Sequence, residues 1–198
     1  YARIRLNAFK REIDDFIYQE NLGFLYDIEE QLFRLECARI DQCVPAFGYL
    51  QRDARFAGFE AEIAVPWALP FGLFELSLFG DSVRGYFDED GAGDVPRLPP
   101  RTVGVAARLE GERWVLGSRY TSASAQRRAG RRESPTAGYA ALGADFSYRL
   151  PLGEDRDATL FVRGRNLLNE EIRNSTSFLR DFMPEGGRNV ELGLRLTF

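Results

Sequence analysis

The sequence predicts an all-β chain, an antiparallel transmembrane β-barrel segment of about eight strands. Three observations carry that expectation. Strict alternation of apolar and polar residues recurs in segment after segment. The connections between those segments alternate between short and long. The last segment, VELGLRLTF, has one apolar and one polar face and ends on a phenylalanine. Period two marks a strand whose two sides meet different environments. Tight turns at one end and long loops at the other are the asymmetry of a membrane barrel.

Taken in order, the first segment covers residues 1–18 and sets Ile4, Leu6 and Ala8 against Arg3, Arg5 and Asn7. The second, 48–66, sets Ala57, Phe59, Ala61, Ile63 and Val65 against Gly58, Glu60 and Glu62. The third, 71–87, opposes Phe74, Leu76 and Leu78 to Glu75 and Ser77. In the fourth, 101–110, Val103, Val105, Ala107 and Leu109 alternate with Thr102, Gly104 and Arg108. The fifth, 112–122, alternates Trp114, Leu116 and Tyr120 with Arg113, Gly117 and Arg119. The sixth, 138–150, alternates Leu142, Ala144, Phe146, Tyr148 and Leu150 with Gly143, Asp145, Ser147 and Arg149. The seventh, 158–169, opposes Leu160 and Val162 to Arg163 and Arg165. The eighth is the tail, with Val190, Leu192, Leu194, Leu196 and Phe198 on its apolar face.

Short connections (PWALPFG, EGE, PLGEDRD) alternate with long ones (19–47, 88–100, 123–137 and 170–187) without exception. A soluble β-sandwich also has alternating strands, but its loops do not sort by length to opposite ends. The polar face, with Arg3, Arg5, Arg108, Arg113, Arg119, Arg149, Arg163, Arg165 and Arg195 beside Glu60 and Glu62, reads as a lumen wall of interspersed opposite charges. The apolar face reads as lipid contact.

Composition excludes several functions. No stretch approaches the ~20 consecutive apolar residues of a spanning helix, and 44% hydrophobic with 28% charged residues is not a disordered composition. A net charge of −4 gives no basic excess, so no nucleic-acid partner is expected. The chain contains no histidine, so no Ser/His or Cys/His nucleophile can be assembled and the commonest metal ligand is missing; we expect no enzyme and no cofactor. The acidic run DEDGAGD (88–94) resembles a calcium loop, but its twelfth position is Pro99 where a bidentate acid is needed. It reads as a solvated loop, with Asp88, Asp90 and Asp94 as weak candidates for a loose divalent-cation site. The run QRRAGRR (126–132) is cationic and suits either solvent or anionic lipopolysaccharide. Cys37 and Cys43 lie six apart; an oxidising compartment would close a short loop between them, and a reducing one would leave two thiols.

The stretches NAFKREIDDFIY (7–18), YLQRDARFAGFEAE (49–62), VPRLPPRTVG (95–104) and GRNLLNEEIRNSTSFLRDFMPEGGRNVELGLRLTF (164–198) together resemble the carboxy-terminal part of the barrel of TonB-dependent outer-membrane receptors. QRDARFAGFEAE and TSFLRDFMPEGGRN look most like the branch that takes up zinc. The resemblance implies that residues 1–198 are the last third of a barrel of about 22 strands with a plugged lumen. The plug domain and the segment that meets the TonB energy-transducing complex would lie before Tyr1, where the chain opens without methionine. It implies a Gram-negative outer-membrane location and uptake of a scarce small nutrient, a metal ion such as zinc or a metal chelate such as a siderophore. Its partners would be outer-membrane lipid and the barrel assembly machinery, which would read Val190, Leu192, Leu194, Leu196 and Phe198 as an address. Outside the cell the cysteines would be oxidised, and the Cys37/Cys43 spacing favours a disulfide tying the tip of the first long loop. With no histidine in the chain, the principal zinc ligands would lie upstream. The alternative is a self-contained eight-stranded outer-membrane barrel with a structural or adhesion role. As an isolated open sheet the segment is expected to aggregate in water.

Overall fold

Each alternating segment forms a strand, and the strands pair in chain order. The computed structural model describes residues 1–37, 39–89, 91–153 and 156–198. Its strands are β1 (Arg3–Asp27), β2 (Leu32–Arg34), β3 (Cys43–Leu69), β4 (Gly72–Phe87), β5 (Thr102–Glu110), β6 (Trp114–Ala123), β7 (Tyr139–Gly153), β8 (Arg156–Arg165) and β9 (Asn189–Thr197). All nine make one antiparallel sheet in the order β2-β1-β3-β4-β5-β6-β7-β8-β9. No α-helix occurs among the described residues. The sheet is open: β1 and β9 do not pair with each other among the described residues, so the wall strands do not close into a small eight-stranded barrel.

Eight of the strands are the expected ones; β2 is an addition inside the first connection. The larger correction concerns residues 19–47, which were expected to be a loop. There β1 runs on to Asp27 and β3 starts at Cys43, making a long two-stranded ribbon. Its sequence hides the period for two reasons. Polar residues such as Gln19, Glu20 and Asn21 follow one another, and the register shifts between Asn21 and Leu25, as it does earlier between Ile13 and Phe16. At that bulge Asp15 takes a left-handed backbone (φ 54°) and its N–H is caught by Asp53 Oδ1 at 2.8 Å, the local kink a bulge requires. At the other end β3 continues past Pro66, the expected end of the strand, through Trp67 to Leu69, which were expected in a turn. Arg113, expected to point inward from a strand, lies in the turn before β6, which begins at Trp114.

The register makes each face continuous across strands. One apolar row runs Ile4, Ile63, Leu78, Val105, Tyr120 and Leu142. The row beside it in each strand falls on the opposite face, because side chains alternate. Near the short turns the apolar face ends in Trp67, stacked on Phe74 at 5.5 Å, with Trp114 opposite Tyr148. Near the long loops it ends where Lys10, Ala57 and Arg84 share a row. Apolar side chains bounded by aromatic rings, then by charge, follow the belt-and-girdle pattern of a membrane barrel's outer face. Leu78, Val103, Leu192 and Leu194 on this belt are all more than half exposed in the isolated sheet.

Candidate functional site

The opposite face carries the charges. Glu75, Arg108, Gly117, Asp145, Arg163 and Glu191 follow one another across six strands from β4 to β9, so neighbouring charged side chains alternate in sign or are separated by glycine. Cross-strand pairs of this kind contribute roughly 0.2–1 kcal/mol each. Arg3 bonds Glu75 at 2.6 Å and Arg5 bonds Glu62 at 3.2 Å, which places Glu62 in an ion pair with its cross-strand partner. Three aromatic rings on this polar face lie over glycines of the neighbouring strand: Phe9 on Gly58, Phe79 on Gly104 and Phe161 on Gly193. A Cβ at any of these glycines would collide with the ring, so glycine is needed there for close approach. The Arg119 guanidinium stacks on Phe79 at 3.6 Å, joining a cation to the aromatic surface.

Where β1, β3 and β4 extend past the belt, this same face turns apolar. Tyr18, Ala54, Phe87 and Val95 are buried together, with Phe16, Leu50, Phe56 and Leu98 packed around them. Val95 and Leu98 come from the loop after β4, which is therefore folded down onto the strands. The Tyr18 hydroxyl donates to Glu20 Oε2 at 3.1 Å. Burial, then that bond, raises the Tyr18 pKa above the usual phenol value.

Above the cluster lies a contact that links three long loops. Glu133, in the loop after β6, has a side chain only 8% exposed. Its Oε1 faces Arg97 Nη1 at 3.5 Å, from the loop after β4, and Arg180 Nη2 at 3.3 Å, from the loop after β8. Its Oε2 accepts the Arg97 and Gly130 backbone N–H groups at 3.1 and 2.9 Å. Arg97 also lies over the Phe178 ring at 4.3 Å and donates to the Gln19 carbonyl at 2.7 Å. Burial lowers the Arg97 pKa, with Arg180 adding to the shift and Glu133 opposing it. Arg180 donates to the Ser175 carbonyl, and the Ser175 hydroxyl, itself buried, donates to the Leu98 carbonyl at 2.9 Å. A buried Arg–Glu–Arg group whose carboxylate meets two guanidiniums and two backbone N–H groups ties the three loops together.

The NLLN motif closes the base of the last loop. Asn166 and Asn169 both adopt left-handed backbone (φ 46° and 57°), a conformation asparagine tolerates. The Asn166 amide donates to the Glu170 and Gly186 carbonyls, and its oxygen accepts the Glu170 N–H. Asn169 Oδ1 accepts the Arg188 N–H at 3.0 Å. The turn and the GRN entry to β9 are thus one knot, which holds the two ends of the loop together.

The remaining residues singled out from sequence are placed as follows. Asp88 pairs with Arg55 at 2.7 Å and its neighbour Glu89 with Arg52 at 3.3 Å. Asp94 bridges to Tyr86 through the backbone, and Asp90 lies outside the described residues. Cys37 and Cys43 are bonded, with Cα atoms 6.4 Å apart. Their sulfurs and the Asp27 carboxylate are mutually within 4.8 Å, the one such group of potential metal ligands among the described residues. Asp27 is already used: Oδ1 accepts the Glu29 and Glu30 N–H groups and Oδ2 faces Arg34 Nε at 3.2 Å. Val190, Leu192, Leu194 and Leu196 occupy the apolar face of the edge strand β9, which pairs with β8 on one side, and Phe198 follows it, 89% exposed.

A two-faced antiparallel wall, with tight turns at one end and a folded loop cap at the other, defines a membrane β-barrel segment. The chain belongs to the TonB-dependent receptor-like β-barrel family, whose model matches residues 1–167. Among solved structures it is similar to the copper transporter OprC, with a TM-score of 0.72 and 17% identity over the whole of this chain. The chain spans 29% of that structure's length. No curated protein matches its sequence.

Proposed function

We propose that residues 1–198 are the carboxy-terminal portion of an outer-membrane receptor that takes up a scarce metal ion or metal chelate, driven by the TonB energy-transducing complex. The observation that carries this reading is the junction of two structures on one face. A charged wall with aromatic surface runs up to a loop cap that is locked by buried ion pairs. A structural or adhesive barrel has no need of such a face; a transport lumen has. This chain supplies wall and loops, and ligand capture and plug movement fall to the intact protein. The similarity to a copper transporter and the zinc-branch look of QRDARFAGFEAE both favour a metal cargo. Asp88 and Asp94 could serve a passing divalent cation only in competition with Arg55 for Asp88, which supports the reading that the principal ligands lie elsewhere in the intact protein. The Cys37–Cys43 bond then ties the first loop in the oxidising exterior, and the β9 tail ending in Phe198 is offered to the assembly machinery and to lipid.

Uptake of radiolabelled zinc, copper and ferric siderophore by metal-starved cells tests the proposal. Deleting the gene is expected to abolish saturable uptake of one of the three, and a protonophore to do the same in the parent strain. Unchanged uptake of all three in the deletion strain would overturn it.

A further inference from the structure

Above the apolar belt, the first charges on the outer face of the wall are Lys10 in β1, Arg84 in β4 and Arg101 just before β5. Lys10 and Arg84 share a row through Ala57. Arg101 is paired with Ser124 through a backbone hydrogen bond of 2.9 Å, one step beyond the Val103–Ser122 pair of the same face. All three are basic. Between Arg84 and Arg101 the register of β4 and β5 ends at Asp81–Thr102, and in the gap above it lies a cavity of about 210 Å³. Arg84, Arg101, Arg127 and Arg128 line it, with Asp94 as its carboxylate among the described residues.

The loop segment that carries Arg127 and Arg128 is anchored beside the cavity through Gln126. The Gln126 amide donates to the Leu98 and Pro99 carbonyls at 3.1 and 3.0 Å, and Gln126 exchanges both backbone hydrogen bonds with Thr136. The Gln126 side-chain oxygen accepts the Arg128 N–H at 3.0 Å. Acids that could have neutralised the cluster are engaged elsewhere: Asp88 by Arg55, Glu89 by Arg52, and Glu133 by Arg97 and Arg180. Four guanidiniums against one carboxylate, exposed at the height where the apolar belt gives way to charge, form a site for a multiply charged oxyanion. Guanidinium forks match phosphate oxygens in geometry as well as charge.

We propose that this cavity binds the phosphate of a phosphorylated lipid headgroup in the outer leaflet, fixing the receptor to its surrounding lipid beside the loops that receive the ligand. The inference rests on the outer-membrane reading above and goes beyond it by assigning the lipid contact to named residues. A membrane source is favoured over a soluble phosphate because Arg84 and Arg101 continue the lipid-facing rows and not the lumen rows.

The test uses the intact protein extracted from outer membranes in mild detergent, with retained lipid measured by native mass spectrometry. The probes are bis-phosphorylated lipid A, its dephosphorylated form and inorganic phosphate. The phosphorylated lipid is expected to be retained about tenfold better than the dephosphorylated one, and Arg127→Gln/Arg128→Gln to remove that preference. Arg84→Gln, on a strand, is the second variant and is expected to weaken it in the same direction. Equal retention of the two lipids, or an unaltered preference in both variants, would overturn the proposal. Displacement of the lipid by inorganic phosphate at matched concentration would also overturn it, by making the occupant a soluble anion. Recovery of the protein outside the outer-membrane fraction would instead sink the receptor reading, so the two failures are distinguishable.

Discussion

Strands β4 to β9 and the loops above them treat exposure in opposite ways: the strands leave apolar side chains uncovered, and the loops enclose polar ones. In the strands, the belt residues Leu78, Leu192 and Leu194 are apolar and exposed, and the charged residues on the other face form partly exposed pairs such as Arg163–Glu191 at 3.9 Å. In the loops, Ser175, Arg180 and Thr136 are buried, and the Glu133 carboxylate is enclosed between two guanidiniums. On the proposed reading the wall tolerates exposure because its apolar side would meet lipid, where a closed set of strands needs no further covering. The cap stands in water and must exclude it from its own polar groups. One region is specified by a repeating pattern, the other by a few contacts that occur once.

The comparison is tested most severely at Glu133. Glu133→Ala leaves Arg97 and Arg180 buried without their anion, a change that costs about 3–5 kcal/mol when a buried pair loses one partner. The expected result is confined to the cap: hydrogen exchange should accelerate in residues 91–101, 124–138 and 170–187, while protection in β4 to β8 is unchanged. If exchange in β5 to β8 accelerated equally, the cap and wall would be one cooperative unit and the distinction would fail.

The converse change is Leu78→Arg on the apolar belt, against Ser77→Arg one residue away on the charged face. Arginine at the middle of a barrel's lipid face costs about 2–4 kcal/mol, while lumen substitutions mostly tune selectivity. Urea titrations of the vesicle-reconstituted intact protein are therefore expected to show a large loss for Leu78→Arg and a small one for Ser77→Arg. Equal losses would mean that the two faces do not meet different media.

These two sites also mark where sequence reading succeeds and where it stops. Leu78 and Ser77 are legible because their neighbours repeat the same choice every second residue, and the repeat is local. Glu133 was not singled out from the sequence at all. It lies 36 positions from Arg97 and 47 from Arg180 along the numbering, and nothing near it in sequence announces either partner. The one available signal was the acidic residue inside the cationic QRRAGRRE stretch, which invites a basic partner without naming one. Between these extremes stand the ribbon of residues 19–47 and the NLLN motif. The ribbon is hidden because the consecutive polar residues Gln19, Glu20 and Asn21 and the register shift between Asn21 and Leu25 break the alternation. The motif is legible as a unit, but its tie to Glu170, Gly186 and Arg188 runs through backbone groups up to twenty residues away that carry no sequence signal.

The smallest effect sits where wall and cap meet. Tyr18 is on β1 beyond Lys10 and Glu12, outside the belt, and is 5% exposed under Val95 of the folded loop. Tyr18→Phe removes its hydrogen bond to Glu20, worth about 1 kcal/mol, and also removes an ionisable group whose pKa burial raises. A raised pKa means that the folded cap holds the phenol proton more tightly than the unfolded chain, whose value is about 10. That contribution is complete below the unfolded value and is lost as pH rises through the folded one. The wild type should therefore lose more cap protection than the Tyr18→Phe variant between the two values. Cap protection followed by hydrogen exchange across that alkaline range reads the difference directly. Parallel curves for the two proteins would show that the Tyr18 hydroxyl is not buried by the loop, and that the cap does not rest on the wall there.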